Sequence, residues 1–395
     1  MSDRSKLVPF ASAMRRPDPA RIAEFAETAR RLQRERAVSA EVVTSALREK
    51  PREMWRQLAT RPELQTSGVL EWLGRAVEQR RSTDPLEALA LAELGTSIAD
   101  AIPADSYPPI ITAQLRAHAW KDRGQALSYL GRYDEALLAL DQAEVEFEPF
   151  GSLGHDRAIV HFCRATLLQH LRRFDEARAL LHECRQVFRE HGDMSTYVKC
   201  TLAMGNLLVR TGDYRNAQEM LVPLLNEDSL IAAQARMALG WCAVHLGAAN
   251  EAIEHFHESA RDCRRRGREL EAVRATYGAG AAMLRLHRFR DAIATLLSTR
   301  ETFLACGLVE EGGLSGLAIV EAQLVLGDAQ AARRLAASLV REFTAAKLNR
   351  RAVAALAYLN DAIAASSATP EIARDVHAYI VALQIDPTRD FARAN

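Results

Sequence analysis

The sequence has no run of alternating Val, Ile and Thr long enough to make a sheet, so its structure must come from helices. It has no net charge either. Its 51 Lys and Arg balance 51 Asp and Glu, which removes the generic electrostatic basis for binding nucleic acid or a membrane surface. Aromatics make up only 6% of the chain and prolines number 13 in 395 residues, so little interrupts an alanine- and leucine-rich helix. The opening stretch MSDRSKLVPFASAMRRPDPARI lacks a continuous apolar core. It reads as neither a signal peptide nor an anchor, and a cytoplasmic protein is expected. The six cysteines occur singly with no Cys-x-x-Cys, the pattern of reduced thiols on helices.

Chemistry-bearing motifs are also missing. There is no Walker loop, no Gly-x-Ser-x-Gly and no His-Glu-x-x-His, so neither an enzyme nor a cofactor is expected. His255, His257 and Cys263 lie close in sequence. On a helix, however, the two histidines point about 200° apart, and no second Glu-x-x-His pair completes a metal site. The Gly-x-Gly of YGAGAAM (277–283) falls inside a helix rather than after a strand, which fails the context of a nucleotide loop. The arginines of RDCRRRGRE (261–269) suit a solvated helix end, where positive charge complements the helix dipole.

A repeat is present. Anchored on alanine, GRYDEA (Ala136) recurs as RRFDEA (Ala177), GDYRNA (Ala217), GAANEA (Ala252), HRFRDA (Ala292) and GDAQAA (Ala332), at spacings of 41, 40, 35, 40 and 40. Twelve residues before the anchors stand Gly124, Ala165, Gly205, Gly240, Gly280 and Val320. Eleven residues after them stand Phe147, Phe188, Asp228, Cys263, Phe303 and Phe343. Each unit reads as an apolar helix, a turn and a second helix. The small residue and the anchor alanine allow close packing, and Gly151, Gly192, Gly267 and Gly307 end the second helices in a left-handed conformation. Such hairpins bury their apolar faces only by stacking.

WKDRGQALSYLGRYDEALLALDQA, from Trp120 to Ala143, resembles the tetratricopeptide repeat in its Trp, Gly, Leu, Gly, Tyr, Ala, Leu and Ala residues. The spacing near 40 exceeds the usual length of about 34. Arg172 and His287 replace the turn glycine of the motif. The resemblance implies an all-α, right-handed α-solenoid. About six repeats would span 114–352, behind a flexible tail (1–19) and N-terminal helices (20–113), and ahead of C-terminal capping helices (353–395). Within the N-terminal part, Asp18-Pro19 and Ser39 read as caps of two successive helices. Asp84, Pro85 and Glu87 open the second helix of a divergent repeat. The leader followed by long repeats is similar to a group of functionally uncharacterised bacterial repeat proteins.

In tetratricopeptide solenoids the first helices line a concave groove. Transferring that register gives thirty positions with five Lys or Arg and one acid, a mildly basic and partly aromatic lining. The resemblance therefore implies a non-catalytic scaffold that binds a protein or an extended peptide carrying acidic groups or a free C-terminus. Lys121, Gln125, Tyr129, Phe162, Lys199, Asn206, Arg210, Trp241, Arg274, Tyr277 and Arg285 are its candidate contacts. Arg offers bidentate recognition, Gln and Asn grip backbone, and the aromatics form pockets. Lys121 and Lys199 match the carboxylate clamp of chaperone-binding repeats, whereas Gln125, Cys163 and Ala203 depart from it. The alternative is a peptide-responsive regulator whose N-terminal helices, about residues 20–60, contact DNA or an effector.

Overall fold

The computed structural model describes residues 19–81, 84–151, 153–227, 229–383 and 388–391; for 19–25 and 229 it describes the backbone alone. The expected tail at 1–19 therefore lies, except for Pro19, outside the described residues, as does part of the C-terminal segment. Among the described residues every regular element is helical. No helix among them is long and apolar enough to cross a membrane. All six cysteines are free. The chain forms two compact units, one ending at Leu171 and the other beginning at Arg172.

The first unit opens with α1 (Pro19–Arg48), followed by two short 3-10 helices (Arg52–Thr60 and Pro62–Leu64). It continues with α2 (Ser67–Arg80), α3 (Pro85–Ala101), α4 (Pro109–Tyr129), α5 (Tyr133–Phe147) and α6 (Gly154–His170). The expected cap at Ser39 does not exist, because α1 runs unbroken through it. Ser39 is buried, and its hydroxyl donates to the Arg36 carbonyl one turn back, the mid-helix alternative to capping. Asp84 does cap α3, accepting from the Glu87 amide at 2.8 Å, while its carboxylate also pairs with Arg52. α1 crosses α2 at Gly68, where an added Cβ would lie 2.4 Å from the Glu35 carbonyl carbon. Glu35 seals that crossing by accepting from the Ser67 amide (3.1 Å), the Ser67 hydroxyl and the Tyr107 hydroxyl (2.7 Å).

The second unit comprises α7 (Phe174–Glu190), α8 (Met194–Thr211), α9 (Tyr214–Leu221), a 3-10 turn (Val222–Asn226), α10 (Ser229–His245) and α11 (Ala249–Arg265). It ends with α12 (Glu269–Arg285), α13 (Phe289–Ala305), α14 (Val309–Val325), α15 (Ala329–Ala345), α16 (Arg350–Ala364) and α17 (Pro370–Leu383). Successive helices pack in order, and the first helices α8, α10, α12 and α14 also neighbour one another, which is the stacking of a solenoid.

Where the small residue of the first helix is glycine, it receives the side chain four places after the anchor. A Cβ on Gly124 would lie 3.0 Å from Leu140, one on Gly205 would lie 2.5 Å from Leu221, and one on Gly280 would lie 2.8 Å from Leu296. The fourth copy exchanges sizes: Phe256 takes the leucine position and Cys263 the distal phenylalanine position, both buried. The larger ring needs two glycines, and lies where Cβ atoms on Gly240 and Gly278 would come within 2.7 and 2.4 Å.

The single short spacing has a local cause. Pro223 has no amide hydrogen to continue an α-helix, so α9 stops at Leu221 and a 3-10 turn replaces the missing length. At the turn between paired helices Gly131 has φ +72°, and Arg172 and His287 adopt the same left-handed conformation at φ 60° and 58° despite their side chains. Gly151 does not take up the expected left-handed conformation.

Candidate peptide-binding face

The candidate residues lie on the first helices of the repeats. In the first unit, the Lys121 ammonium lies 2.8 Å from Asp122, whose carboxylate fills the space above Gly74. Burial works against the lysine's charge, but neighbouring groups, Asp122 foremost, together outweigh it and hold the lysine pKa above its ordinary value. Gln125 is engaged at both ends: its amide donates to Cys163 Sγ at 3.1 Å and its oxygen accepts from Arg81 at 3.1 Å. Burial pushes the Cys163 thiol pKa up, which disfavours its thiolate. Arg81 also lies 5.5 Å from the ring of the exposed Tyr129, and Phe162 is half-buried on α6. Arg81, which follows α2, is the residue that sequence reasoning missed here.

In the second unit, Lys199, Asn206 and Arg210 fall two turns and one turn apart along α8, and so share a face. Lys199 and Arg210 are exposed and Asn206 is half-buried. The Arg210 guanidinium lies 5.6 Å from the Phe174 ring. This contact is one of a series. The turn aromatic of one copy meets the last inward-facing residue of the next first helix: Tyr133 stacks on His170 in the first unit, and Tyr214 stacks on His245 in the second. At the equivalent place before Arg285 stands Ala249 in place of an aromatic, and Arg285 is exposed.

Trp241 is half-buried on α10, edge-on to Phe256 at 5.3 Å and 6.2 Å from the Tyr277 ring on α12. Together these rings form an aromatic floor. Arg274, although exposed, is paired with Glu311 at 3.3 Å. Tyr277 is not open to a ligand, because its hydroxyl lies 3.0 Å from His377 Nε2 of α17. α17 packs along α14, and its Arg374 reaches Glu321 of α14 at 2.6 Å. The apolar side of α17, with Val376 and Ile380 fully buried, shares a core with Leu314 and Leu317. Tyr277 of α12 and Glu321 of α14 are therefore taken by the chain's own last helix, while α8 carries the exposed cations Lys199 and Arg210. Sequence reasoning identified the helix but not where it lies: its apolar spacing shows which side is buried, not against what.

No protein-family model matches the chain, and no curated protein matches it. Among solved structures it is similar to a signal-transduction ATPase with a tetratricopeptide-repeat sensor from Pyrococcus horikoshii (TM-score 0.59, 12% identity). That match covers 90% of this chain and 53% of the other, so the chain spans about half that protein's length. It is also similar to the apo quorum sensor NprR from B. thuringiensis (TM-score 0.53, 12% identity, 92% and 99% covered). A third match is a Rap protein complexed with Competence and Sporulation Factor (TM-score 0.50, 13% identity, 88% and 99% covered). At these identities the likeness is one of fold: the chain is an all-helical solenoid of tetratricopeptide-like repeats.

Proposed function

We propose that this tetratricopeptide-like solenoid is a non-catalytic, cytoplasmic binding protein, and that the first-helix face of its second unit receives a peptide or a protein segment. The observation that carries the reading is the row of Lys199, Asn206 and Arg210 on α8, beside the half-buried Trp241 of α10. Two exposed cations and an amide on one helix face suit carboxylates and peptide backbone, and an indole edge offers a shallow apolar seat. The Rap structure, named as a complex with Competence and Sporulation Factor, and the quorum sensor NprR support the reading by fold likeness. A ligand with acidic groups or a free C-terminus fits this part of the face. Arg274, committed to Glu311, contributes less.

Selection of peptides from a random library on the purified chain, followed by fluorescence anisotropy titration, tests this reading. Selected peptides should be enriched in acidic residues or free C-termini, and the pair Lys199→Glu and Arg210→Glu should weaken them by about a hundredfold. Equal affinity for the two chains would overturn it. The regulator alternative calls for an N-terminal effector module within about residues 20–60, where a turn separates α1 from the 3-10 helix Arg52–Thr60. A gel shift that weakens steeply with salt would favour that alternative.

A further inference from the structure

The last helix lies where a ligand would. Tyr277 and Glu321 occupy the register that Leu202 and Asn206 occupy on α8, and both are taken by side chains of α17. Three features show what that surface accepts. Its floor is apolar, with Leu317 fully buried and Leu314 nearly so beneath Val376 and Ile380. Its acid, Glu321, takes a guanidinium. Its phenol, Tyr277, shares a hydrogen bond with an imidazole nitrogen one helical turn further along α17. Together these define a pattern: Arg374, His377 three residues on, and apolar residues at 373, 376, 380 and 383 on the buried side. The pattern is that of an amphipathic helix laid in a groove, read at i, i+3 and i+7.

We infer that this surface of α12 and α14 is a binding site for an amphipathic helix, that α17 is its resident occupant, and that a partner helix with an arginine, a planar hydrogen-bonding group three residues later and the same apolar side replaces it. The inference rests on the peptide-binding reading above but concerns a different subsite and a ligand of opposite charge. α8 presents cations to an acidic segment, whereas α14 presents a carboxylate to an arginine. The polar links are well placed for exchange, because the Arg374 side chain is 43% exposed and can be taken off Glu321 without first opening the core. The connection before α17 is five residues long, Ala365 to Thr369, and passes through Ser366 at φ 57°.

The test uses the full chain and a fluorescein-labelled peptide of residues 370–383. Arg374→Ala with His377→Ala loosens the resident helix, and this variant should bind the labelled peptide about tenfold more tightly than the unaltered chain. Adding Glu321→Arg to the loosened chain should abolish that gain. Hydrogen exchange of the intact chain supplies a readout independent of any variant: amides of 370–383 should exchange about a hundredfold faster than those of 314–325, by local opening. Equal exchange in the two segments, or a loosened chain that melts normally yet does not bind the peptide, would overturn the inference and leave α17 a permanent part of the core. Library-selected acidic peptides report separately. If they still bind and still depend on Lys199 and Arg210, only this inference has failed; if they lose that dependence while the helix peptide binds, only the earlier reading has failed.

Discussion

The hydroxyl of Tyr277 on α12 and the Nε2 of His377 on α17 lie 3.0 Å apart across 100 residues of sequence. Burial raises the phenol's pKa, so the tyrosine keeps its proton. Burial, and then the positive field of Arg285, push the His377 pKa down to about 4, so the imidazole is neutral. Arg374 and Glu321, paired alongside, are the other charged groups in this contact.

The pair makes stability depend on pH in a defined window. The folded-state pKa of His377 lies below that of the unfolded chain, so between these values the unfolded state binds the extra proton. The stabilisation is fully present above the ordinary histidine pKa of about 6.5 and is lost as pH falls from there to about 4, a total of up to about 3 kcal/mol. Urea titrations at pH 7 and pH 4.5 check this. The unaltered chain should lose more stability between the two conditions than His377→Gln, and an equal loss in both would remove His377 from the account.

Phe256 and Gly278 should behave as one packing unit. A Cβ at 278 would lie 2.4 Å from the Phe256 ring, so Gly278→Ala is expected to cost about 2–3 kcal/mol by overpacking. In a Phe256→Leu background, where the side chain is the size found in the neighbouring copies, the same change should cost less than about 1 kcal/mol. A double-mutant cycle measured by urea denaturation gives the coupling.

Turn residues in the left-handed region offer a pair of opposite predictions. Lys347 is exposed at φ 53°, so Lys347→Gly should stabilise the chain by about 1 kcal/mol through relief of backbone strain. Gly247, at φ 86° with open space around it, should lose about 1 kcal/mol as Gly247→Ala for the converse reason. Thermal melts of both variants decide the matter.

In the first unit, Glu35→Ala should cost about 2–3 kcal/mol, because the Ser67 and Tyr107 hydroxyls both lose the acceptor that seals the crossing of α1 and α2. Burial alone would raise the pKa of this carboxyl, but the hydrogen bonds from Ser67, Tyr107 and Arg31 outweigh it and hold the pKa low. Its contribution is therefore present above the ordinary glutamate range and fades as pH falls through the lower folded-state value. A Glu35→Gln variant should flatten the acid limb of the first unit's unfolding curve.

The architecture is legible in the sequence because the repeat constrains it residue by residue. The small residue at Gly124, Gly205 and Gly280 and the leucine four places after the anchor are two halves of one contact, and both recur. Even Arg172 and His287 keep the turn that glycine would favour, since the flanking helices dictate it. Ser39 misleads because a serine that satisfies its own helix looks, in sequence, like one that starts a new helix. The face is legible only in part. Register alone puts Lys199, Asn206 and Arg210 on one side of α8, but it gives no sign that Gln125 is held between Arg81 and Cys163. Nor can it show that Tyr277 lies under α17, because those partners come from distant helices.

The central claim is that the exposed cations of α8 hold a ligand. Its most direct measurement is an anisotropy titration of one library-selected acidic peptide against the unaltered chain and against Lys199→Glu with Arg210→Glu, at one stated salt concentration and with melting curves for both. The account predicts a dissociation constant about a hundredfold higher for the double variant, with an unchanged melt. Matching dissociation constants for two equally folded chains would contradict it.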